Sequence, residues 1–375
     1  MLTQKRKKII ESLFSDYAST SYPIDVFLSK YFRKNRYIGS KDRRCIADFS
    51  YALMRWKGLV DYFINKPVNW EKRIELFNEI QPNITQMIKD DALPLSAKVS
   101  FPKEYIETLL KSYSEKEVLA FCLTSNTQAP ISIRANTYKI TRDELFEQLV
   151  KKYPVKKSSK NPDAIIFEKR VNFFTLEEFK AGFFEVQDEG SQQLCSYIQV
   201  RPKNLILDYC AGSGGKSLAI APQLNKTGQL FLHDIRTPIL LEAKKRFKRA
   251  GITNVQFVTS EKQKKALQKK IDVLLLDVPC SGSGTLRRNP DMKWRFSKEN
   301  LKALIQTQRS IFAESLSYIN ANSIIYYMTC SVFKEENEEQ IAYFCKQYDL
   351  KLLFSKSWLP VENGKDGFFI AALKK

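Results

Sequence analysis

The sequence predicts an α/β fold with a mostly parallel sheet in its C-terminal half. An apolar run at Leu205–Leu207 is followed by a glycine-rich turn and then by an apolar helical pattern. Short apolar runs then alternate with helical patterns as far as the C-terminus. Strands that alternate with helices predict a parallel sheet with ligand sites at the carboxyl ends of its strands.

The elements of this half follow from the same patterns. We expect Thr237 to be the N-cap and Pro238 the first residue of one helix, because proline tolerates the first helical position. A long helix is expected from Glu299 to about Tyr318. Apolar runs predict strands at Leu205–Leu207, Leu230–Asp234, Val255–Val258, Val273–Asp277, Ile324–Met328 and Phe368–Ala372.

Two further regions precede this half of the chain. Apolar residues at helical spacing, such as Ile10, Leu13 and Tyr17, predict a helical and basic domain over residues 1–125. Residues 126–188 predict a small α/β module, with a strand at Ile131–Arg134 and a helix opened by the capping box of Thr141. The third predicted domain covers residues 189–375.

The composition restricts the partners and the class of chemistry. A net charge of +20 over 375 residues attracts polyanions, which makes nucleic acid the expected partner. Seven irregularly spaced cysteines give neither a disulfide framework nor paired zinc ligands, so we expect no metal and a reducing, cytoplasmic location. No run approaches the ~20 apolar residues of a membrane span. A monomer is the default expectation.

The glycine-rich turn has three interpretations. A phosphate-binding P-loop ending at Ser217 would need a glycine at the position of Cys210, and a dinucleotide fingerprint would need one at Ser217 itself. A loop that passes close to S-adenosylmethionine needs no phosphate cradle, and we favour it. Its residues would be Cys210, Ala211, Gly212, Ser213, Gly214, Gly215 and Lys216.

The second strand ends in a candidate ribose ligand. Asp234 lies where a carboxylate can accept hydrogen bonds from both ribose hydroxyls, although it could instead cap the following helix. The single histidine, His233, lies in the same apolar segment, where a packed or hydrogen-bonded imidazole is expected.

Two cysteines follow the predicted ends of two further strands. Cys280 comes shortly after Asp277, and Cys330 shortly after Met328. Free cysteines are more often buried hydrophobes than nucleophiles, but two of them at the edge of a cofactor site favour chemistry. A thiolate that adds to carbon 6 of cytosine turns carbon 5 into an enamine carbon that can accept a methyl group. Asp277 could hydrogen-bond the N3 and N4 edge of the base, and the second cysteine could assist product release.

These segments resemble the Sun/RsmB group of RNA cytosine-C5 methyltransferases over roughly residues 130–375. The residues 277–295 are similar to the group's fourth motif almost throughout, and 329–331 to its sixth. Other similar segments are 208–216 (first motif), 187–191 (its lead-in), 134–136 (the start of the RNA-recognition-like segment) and 366–369 (the terminal strand). The segments 42–44 and 53–55 resemble the NusB-like helical domain of some members.

The resemblance implies a class I (Rossmann-like) methyltransferase domain behind an RRM-like segment and a NusB-like domain. It implies Cys330 as nucleophile, Cys280 in product release, and S-adenosyl-L-methionine as cofactor. The cofactor would contact the glycine-rich loop, Asp234 and Asp277. Ser213 replaces the proline that is usual before the glycine pair, and Ser260 stands about where an acidic residue contacts the adenine.

Basic, aromatic and amide side chains near these motifs are the expected RNA contacts. They are Arg134, Asn136, Arg287, Arg288, Lys293, Trp294 and Arg295. Ribosomal RNA ranks above transfer RNA as substrate through the NusB-like resemblance alone. A non-catalytic RNA-binding factor with a degenerate cofactor pocket remains the alternative from another functional class, and a DNA methyltransferase would leave Cys330 without a task.

Overall fold

The computed structural model describes residues 2–362 and 364–375, and the chain divides into two compact units. The helical unit contains the residues up to Gln128 together with Thr285–Asn300. The sheet unit contains Ala129–Gly284 and Leu301–Lys375. The chain therefore leaves the sheet unit shortly after Cys280, passes through the helical unit, and returns. The domain boundaries expected from the sequence do not include this excursion.

The helical unit confirms the helices expected before residue 125. Its apolar residues between Ile9 and Leu93 recur at helical spacing and form a buried core, in which Phe14 stacks on Trp70 with ring centroids 4.3 Å apart. Its helices are α1 (Gln4–Ala18), α2 (Ile24–Lys34), α3 (Ser40–Phe63), α4 (Trp70–Ile80), α5 (Ile84–Met87), α6 (Leu95–Lys98), α7 (Lys103–Leu110) and α8 (Glu115–Ser125).

The first part of the sheet unit is a small ferredoxin-like module. Its antiparallel sheet has the order β2-β3-β1-β4, and its first helix begins with the capping box formed by Thr141 and Glu144. The elements are β1 (Ile131–Ala135), α9 (Arg142–Leu149), β2 (Val155–Lys157), β3 (Ala164–Phe167), α10 (Glu177–Lys180) and β4 (Phe184–Val186).

The second part is the predicted Rossmann-like sheet. Seven strands have the order β10-β11-β9-β8-β5-β6-β7, in which the pairs from β9 to β7 are parallel and those that β11 makes are antiparallel. The strands are β5 (Leu205–Asp208), β6 (Gln229–Leu232), β7 (Val255–Phe257), β8 (Ile271–Asp277), β9 (Ile319–Thr329), β10 (Lys351–Trp358) and β11 (Phe368–Lys374). The helices are α11 (Glu189–Ser196), α12 (Gly215–Ile220), α13 (Thr237–Ala250), α14 (Glu261–Ala266), α15 (Lys298–Ser315) and α16 (Glu338–Tyr348).

The differences from the expected elements have local causes. The edge strand β10 is mostly exposed, so it lacks the apolar run that would reveal it. Thr237 lies inside α13, whose N-cap is Arg236. His233 follows β6 rather than lying within it; its ring stacks on Tyr209, and its Nδ1 lies 2.8 Å from the Tyr209 carbonyl oxygen. Among the described residues, no helix is both long and apolar enough to cross a membrane.

Candidate active site

Neighbouring strands β8 and β9 bring the two candidate catalytic cysteines together. The strands run parallel, with Asp277 paired to Met328, so the loops that follow them leave the same edge of the sheet. The Sγ atoms of Cys280 and Cys330 lie 3.4 Å apart, and both residues are partly exposed. Two sulfurs at this separation can act on adjacent atoms of one substrate.

The environment makes the two thiols unequal. The hydrogen bond from Cys280 lowers the pKa of Cys330, and the charge of Lys216 acts in the same direction against burial. The same hydrogen bond, together with burial, raises the pKa of Cys280 well above its usual value. These opposite directions favour ionisation of Cys330 over ionisation of Cys280.

Lys216 and Asp277 form an ion pair beside the thiols. Burial alone would lower the pKa of Lys216, but the negative charge of Asp277 outweighs burial and raises it. Lys216 therefore stays positively charged near Cys330.

Glu336 supports the Cys280 loop, and the sequence did not reveal this role. Its buried carboxylate accepts hydrogen bonds from the Ser281 backbone N–H (2.9 Å), the Ser281 hydroxyl (2.5 Å) and the Gln308 side-chain amide (2.9 Å). Burial raises the pKa of Glu336. Glu336 lies only six residues after Cys330 in the sequence. A loop that turns back toward the end of its strand brings such neighbouring residues into contact, so this short spacing is the signal that the sequence offers.

The glycine-rich turn lines a cavity of about 930 Å³. Gly212 and Gly214 have φ angles of +52° and +78°, which favour glycine. A Cβ on Gly214 would lie 2.7 Å from the Phe247 ring, whereas one on Gly212 would meet no atom within 4 Å. The turn is thus packed tightly at Gly214 and open at Gly212.

Asp234 lies where the sequence predicts, at the cavity wall. Its carboxylate accepts a hydrogen bond of 2.8 Å from the Gly212 backbone N–H and one of 2.9 Å from the Arg236 N–H. Burial would raise the pKa of Asp234, but the hydrogen bonds from Arg236 and Gly212 outweigh burial and lower it. An ionised carboxylate here suits a ribose diol.

The cavity fits S-adenosylmethionine by size and by its polar groups. Its volume lies in the usual range for ligand sites of roughly 300–1,000 Å³. The wall combines a backbone turn with an ionised carboxylate and an exposed apolar side chain, Ile235. Of the residues expected to bind the cofactor, those on the wall are Cys210, Ala211, Gly212, Ser213, Gly215, Lys216, Asp234 and Asp277.

Ser260 is placed elsewhere. Its hydroxyl caps α14 in a capping box with Gln263, and the residue is not on the cavity wall. The next residue, Glu261, lines the cavity instead. Glu261 thus places a carboxylate on the wall one position later, where it pairs with Lys264 at 3.0 Å. The geometry does not favour cofactor contact by Ser260, whose hydroxyl caps the helix.

The two RNA contacts expected in the ferredoxin-like module are buried. Arg134 donates to the Gln187 side-chain oxygen (2.7 Å) and to the Leu218 carbonyl oxygen (3.3 Å). Asn136 donates to the carbonyl oxygens of Gly182 and Ala250, both at 2.9 Å. These side chains join the module to the Rossmann-like part, and this geometry does not favour direct contact with RNA.

The basic and aromatic segment after Cys280 is also largely internal, within the helical unit. Lys293 is 1% exposed and donates to the Arg55 carbonyl oxygen and the Asn126 side-chain oxygen, both at 2.7 Å. Burial lowers its pKa well below the usual value. Trp294 donates to the Met54 carbonyl oxygen at 2.7 Å. Lys293 and Trp294 therefore anchor this segment within the helical unit, although their sequence pattern resembles an RNA contact.

The arginines of this segment differ in exposure. Arg287 is 1% exposed, so its expected RNA contact is likewise not favoured. Arg295 donates to the Tyr17 hydroxyl at 2.7 Å and to the Ser21 carbonyl oxygen at 2.5 Å. Arg288 is half-buried, and RNA contact by Arg288 and Arg295 stays a prediction.

We expect Asp291→Ala to destabilise the helical unit by about 2–4 kcal/mol, because it leaves buried donors without their acceptor. The buried carboxylate accepts from the Tyr17 hydroxyl (2.9 Å), the Ile24 N–H (3.2 Å) and Arg295 Nε (3.2 Å). Urea unfolding followed by circular dichroism measures the loss. The control, Asp91→Ala, removes a fully exposed carboxylate, and equal destabilisation by both variants would contradict the anchoring role.

Comparison with known proteins identifies the family. A family model described as 16S rRNA methyltransferase RsmB/F matches residues 196–374, and the RsmF/B-like ferredoxin-like domain matches residues 101–173. The ribosomal RNA small subunit methyltransferase B of Escherichia coli is 30% identical over 74% of this chain and 67% of its own length. The mouse 28S rRNA (cytosine-C(5))-methyltransferase is 25% identical over 75% of this chain and 40% of its own length.

A solved structure extends the similarity in fold to the whole chain. The crystal structure of PH0851 has a TM-score of 0.81 at 22% identity, with 100% of each chain covered. This chain spans about 60–70% of the length of the first curated relatives it matches. With the matched catalytic domain and the bacterial relative together, the chain belongs to the RsmB/F family of rRNA methyltransferases, which are S-adenosylmethionine-dependent enzymes.

Proposed function

We propose that this protein methylates carbon 5 of a cytosine in ribosomal RNA through a covalent adduct with Cys330. The observation that carries the proposal is the 3.4 Å separation of the Cys280 and Cys330 sulfurs beside the cofactor cavity. The names of the bacterial and mouse relatives support rRNA and carbon 5, respectively. Transfer RNA is the alternative substrate for the same chemistry. We also propose a cytoplasmic location.

The first step uses the unequal pKa values of the two thiols. The target base leaves its stack and enters the site. The Cys330 thiolate forms a bond to carbon 6, and the electron pair of the C5–C6 double bond moves to carbon 5 and the ring. The Asp277 carboxylate accepts a hydrogen bond from the N4 amino group of the base and orients the base in the site. Bound S-adenosylmethionine supplies the electrophilic methyl group for carbon 5.

The second step needs a base, and Cys280 is placed to become one. The hydrogen bond with Cys330 is the largest cause of the raised pKa of Cys280. Once the Cys330 sulfur is bonded to carbon 6, it carries no negative charge to hold the Cys280 proton, and Cys280, which is partly exposed, passes that proton to solvent water. Cys280 then takes the proton from carbon 5, the C5–C6 double bond reforms, and the C6–S electron pair returns to Cys330.

Release of the carbon-5 hydrogen tests this proposal directly. We expect the protein with S-adenosylmethionine to release tritium from small-subunit rRNA that carries it at carbon 5 of cytosine. The matched control is the same RNA with tritium at carbon 5 of uracil, which should release none. Release from labelled transfer RNA alone would correct the substrate. No release from either RNA would favour a non-catalytic RNA-binding factor.

A further inference from the structure

An open pocket in the helical unit is lined by arginines. Its volume is about 570 Å³, and it lies where α2 ends and α3 begins. We call it the arginine pocket; its lining residues are Ser29, Phe32, Arg33, Arg36 and Arg43. Arg33 and Arg36 are exposed, and Arg43 is half-buried. The active-site residues described above do not include any of them.

The wall of the pocket is partly pre-organised. Arg43 Nε donates to the Ile38 carbonyl oxygen at 2.7 Å, and another of its nitrogens lies 3.3 Å from the Arg36 carbonyl oxygen. The Arg43 guanidinium also lies 5.9 Å from the centre of the Phe32 ring. One guanidinium is thus fixed before any ligand arrives, which reduces the entropy lost on binding.

The charge around the pocket is not balanced locally. The lining contains no acidic residue. The nearest acid along the chain, Asp42, pairs with Arg6 at 2.7 Å. Within residues 2–362 and 364–375, no ion pair is made by Arg33, Arg36 or Arg43. Like charges held around one concavity repel each other, and an anion in the pocket would relieve that repulsion.

We propose that the arginine pocket binds phosphodiester groups of the RNA substrate, as a second RNA-binding site in the helical unit. Guanidinium groups bind phosphate oxygens in a bidentate manner. An open pocket suits a phosphate group within an RNA chain better than a free phosphate ion. A free ion binds well only where an enclosed site replaces its hydration shell. Tyr37, which is 70% exposed and follows Arg36, offers a ring for base stacking. This inference rests on the proposed function only in taking RNA as the substrate.

The test compares two charge-removing variants of the full chain. Arg33→Gln with Arg36→Gln removes two pocket charges whose side chains are exposed. Lys262→Gln with Lys265→Gln removes two exposed charges from α14 in the sheet unit and serves as the control. Binding to a small-subunit rRNA transcript is measured by filter retention at several salt concentrations. Circular dichroism checks that both variants are folded.

We expect the arginine variant to bind the transcript about tenfold more weakly and to reduce the slope of log affinity against log salt by about 2. The lysine variant should keep the wild-type affinity and slope. Wild-type binding by the arginine variant, or an equal loss in the lysine variant, would overturn the proposal. Tritium release is scored separately: a wild type that binds RNA through this pocket but releases no tritium would refute the methylation proposal and leave this site standing.

Discussion

Cys280→Ala should accumulate a covalent protein–RNA adduct, whereas Cys330→Ala should form none. Without Cys280 the carbon-5 proton has no base, so the Cys330–C6 bond persists after methyl transfer. Without Cys330 no bond to carbon 6 forms, and we expect methylation to fall by at least about a thousandfold. Denaturing electrophoresis after incubation with rRNA and S-adenosylmethionine measures both results.

The pH dependence of adduct formation is a second test of the roles of Cys280 and Cys330. The hydrogen bond from Cys280 is the largest influence that lowers the pKa of Cys330. Its loss in Cys280→Ala raises that pKa. The increase in the rate of adduct formation with pH should therefore occur at a higher pH in this variant than in the wild type. Cys345→Ala, a partly exposed cysteine on α16, is the control and should trap nothing. An adduct in Cys330→Ala but not in Cys280→Ala would reverse the two roles.

The sequence could predict the positions of these cysteines because a parallel sheet imposes them. Apolar runs mark β8 and β9, and residues that follow neighbouring parallel strands emerge at one edge. The same reasoning placed Asp234 and the glycine-rich turn at one cavity. In each case a short motif lies directly after a strand end, so strand order alone brings the motifs together.

Side-chain burial could not be predicted in the same way. Arg134 and Lys293 are long cations in segments that resemble RNA contacts, and such side chains are normally exposed. Their burial depends on distant acceptors, the Leu218 carbonyl oxygen for Arg134 and the Asn126 side chain for Lys293. These partners are 84 and 167 residues away along the chain. No local pattern contains that information.

Ser213 departs from the family pattern at a position where Arg246 holds the loop. A proline at this position would restrict the backbone of the cofactor loop. Here Arg246, on α13, donates to the Ser213 carbonyl oxygen (3.0 Å) and to its hydroxyl (2.6 Å). Arg246 is itself held by Glu185 on β4, with Nε 3.1 Å from a carboxylate oxygen. Glu185 is 4% exposed and also pairs with Arg249 at 2.5 Å.

We expect Arg246→Met to raise the dissociation constant of S-adenosylmethionine about tenfold, which is about 1.4 kcal/mol. The variant loses two hydrogen bonds from a charged donor. These bonds order the loop before the cofactor binds, so without them binding must also supply the free energy of ordering the loop. Ser213→Ala removes the hydroxyl acceptor alone and should cost about threefold, at the low end for one such bond. Calorimetric titration with S-adenosylmethionine measures both.

A double-mutant cycle separates this tether from general destabilisation. Arg246→Met combined with Ser213→Ala should bind the cofactor as weakly as Arg246→Met alone, since the hydroxyl has no remaining donor to lose. Arg249→Met is the matched control, because Arg249 pairs with the same Glu185 carboxylate and makes none of the hydrogen bonds to Ser213 that Arg246 makes. Additive losses in the double variant, or an equally raised dissociation constant for Arg249→Met, would mean that Arg246 does not position the cofactor loop. The expected result would instead show that Arg246 on α13 orders the cofactor loop through its hydrogen bonds to Ser213.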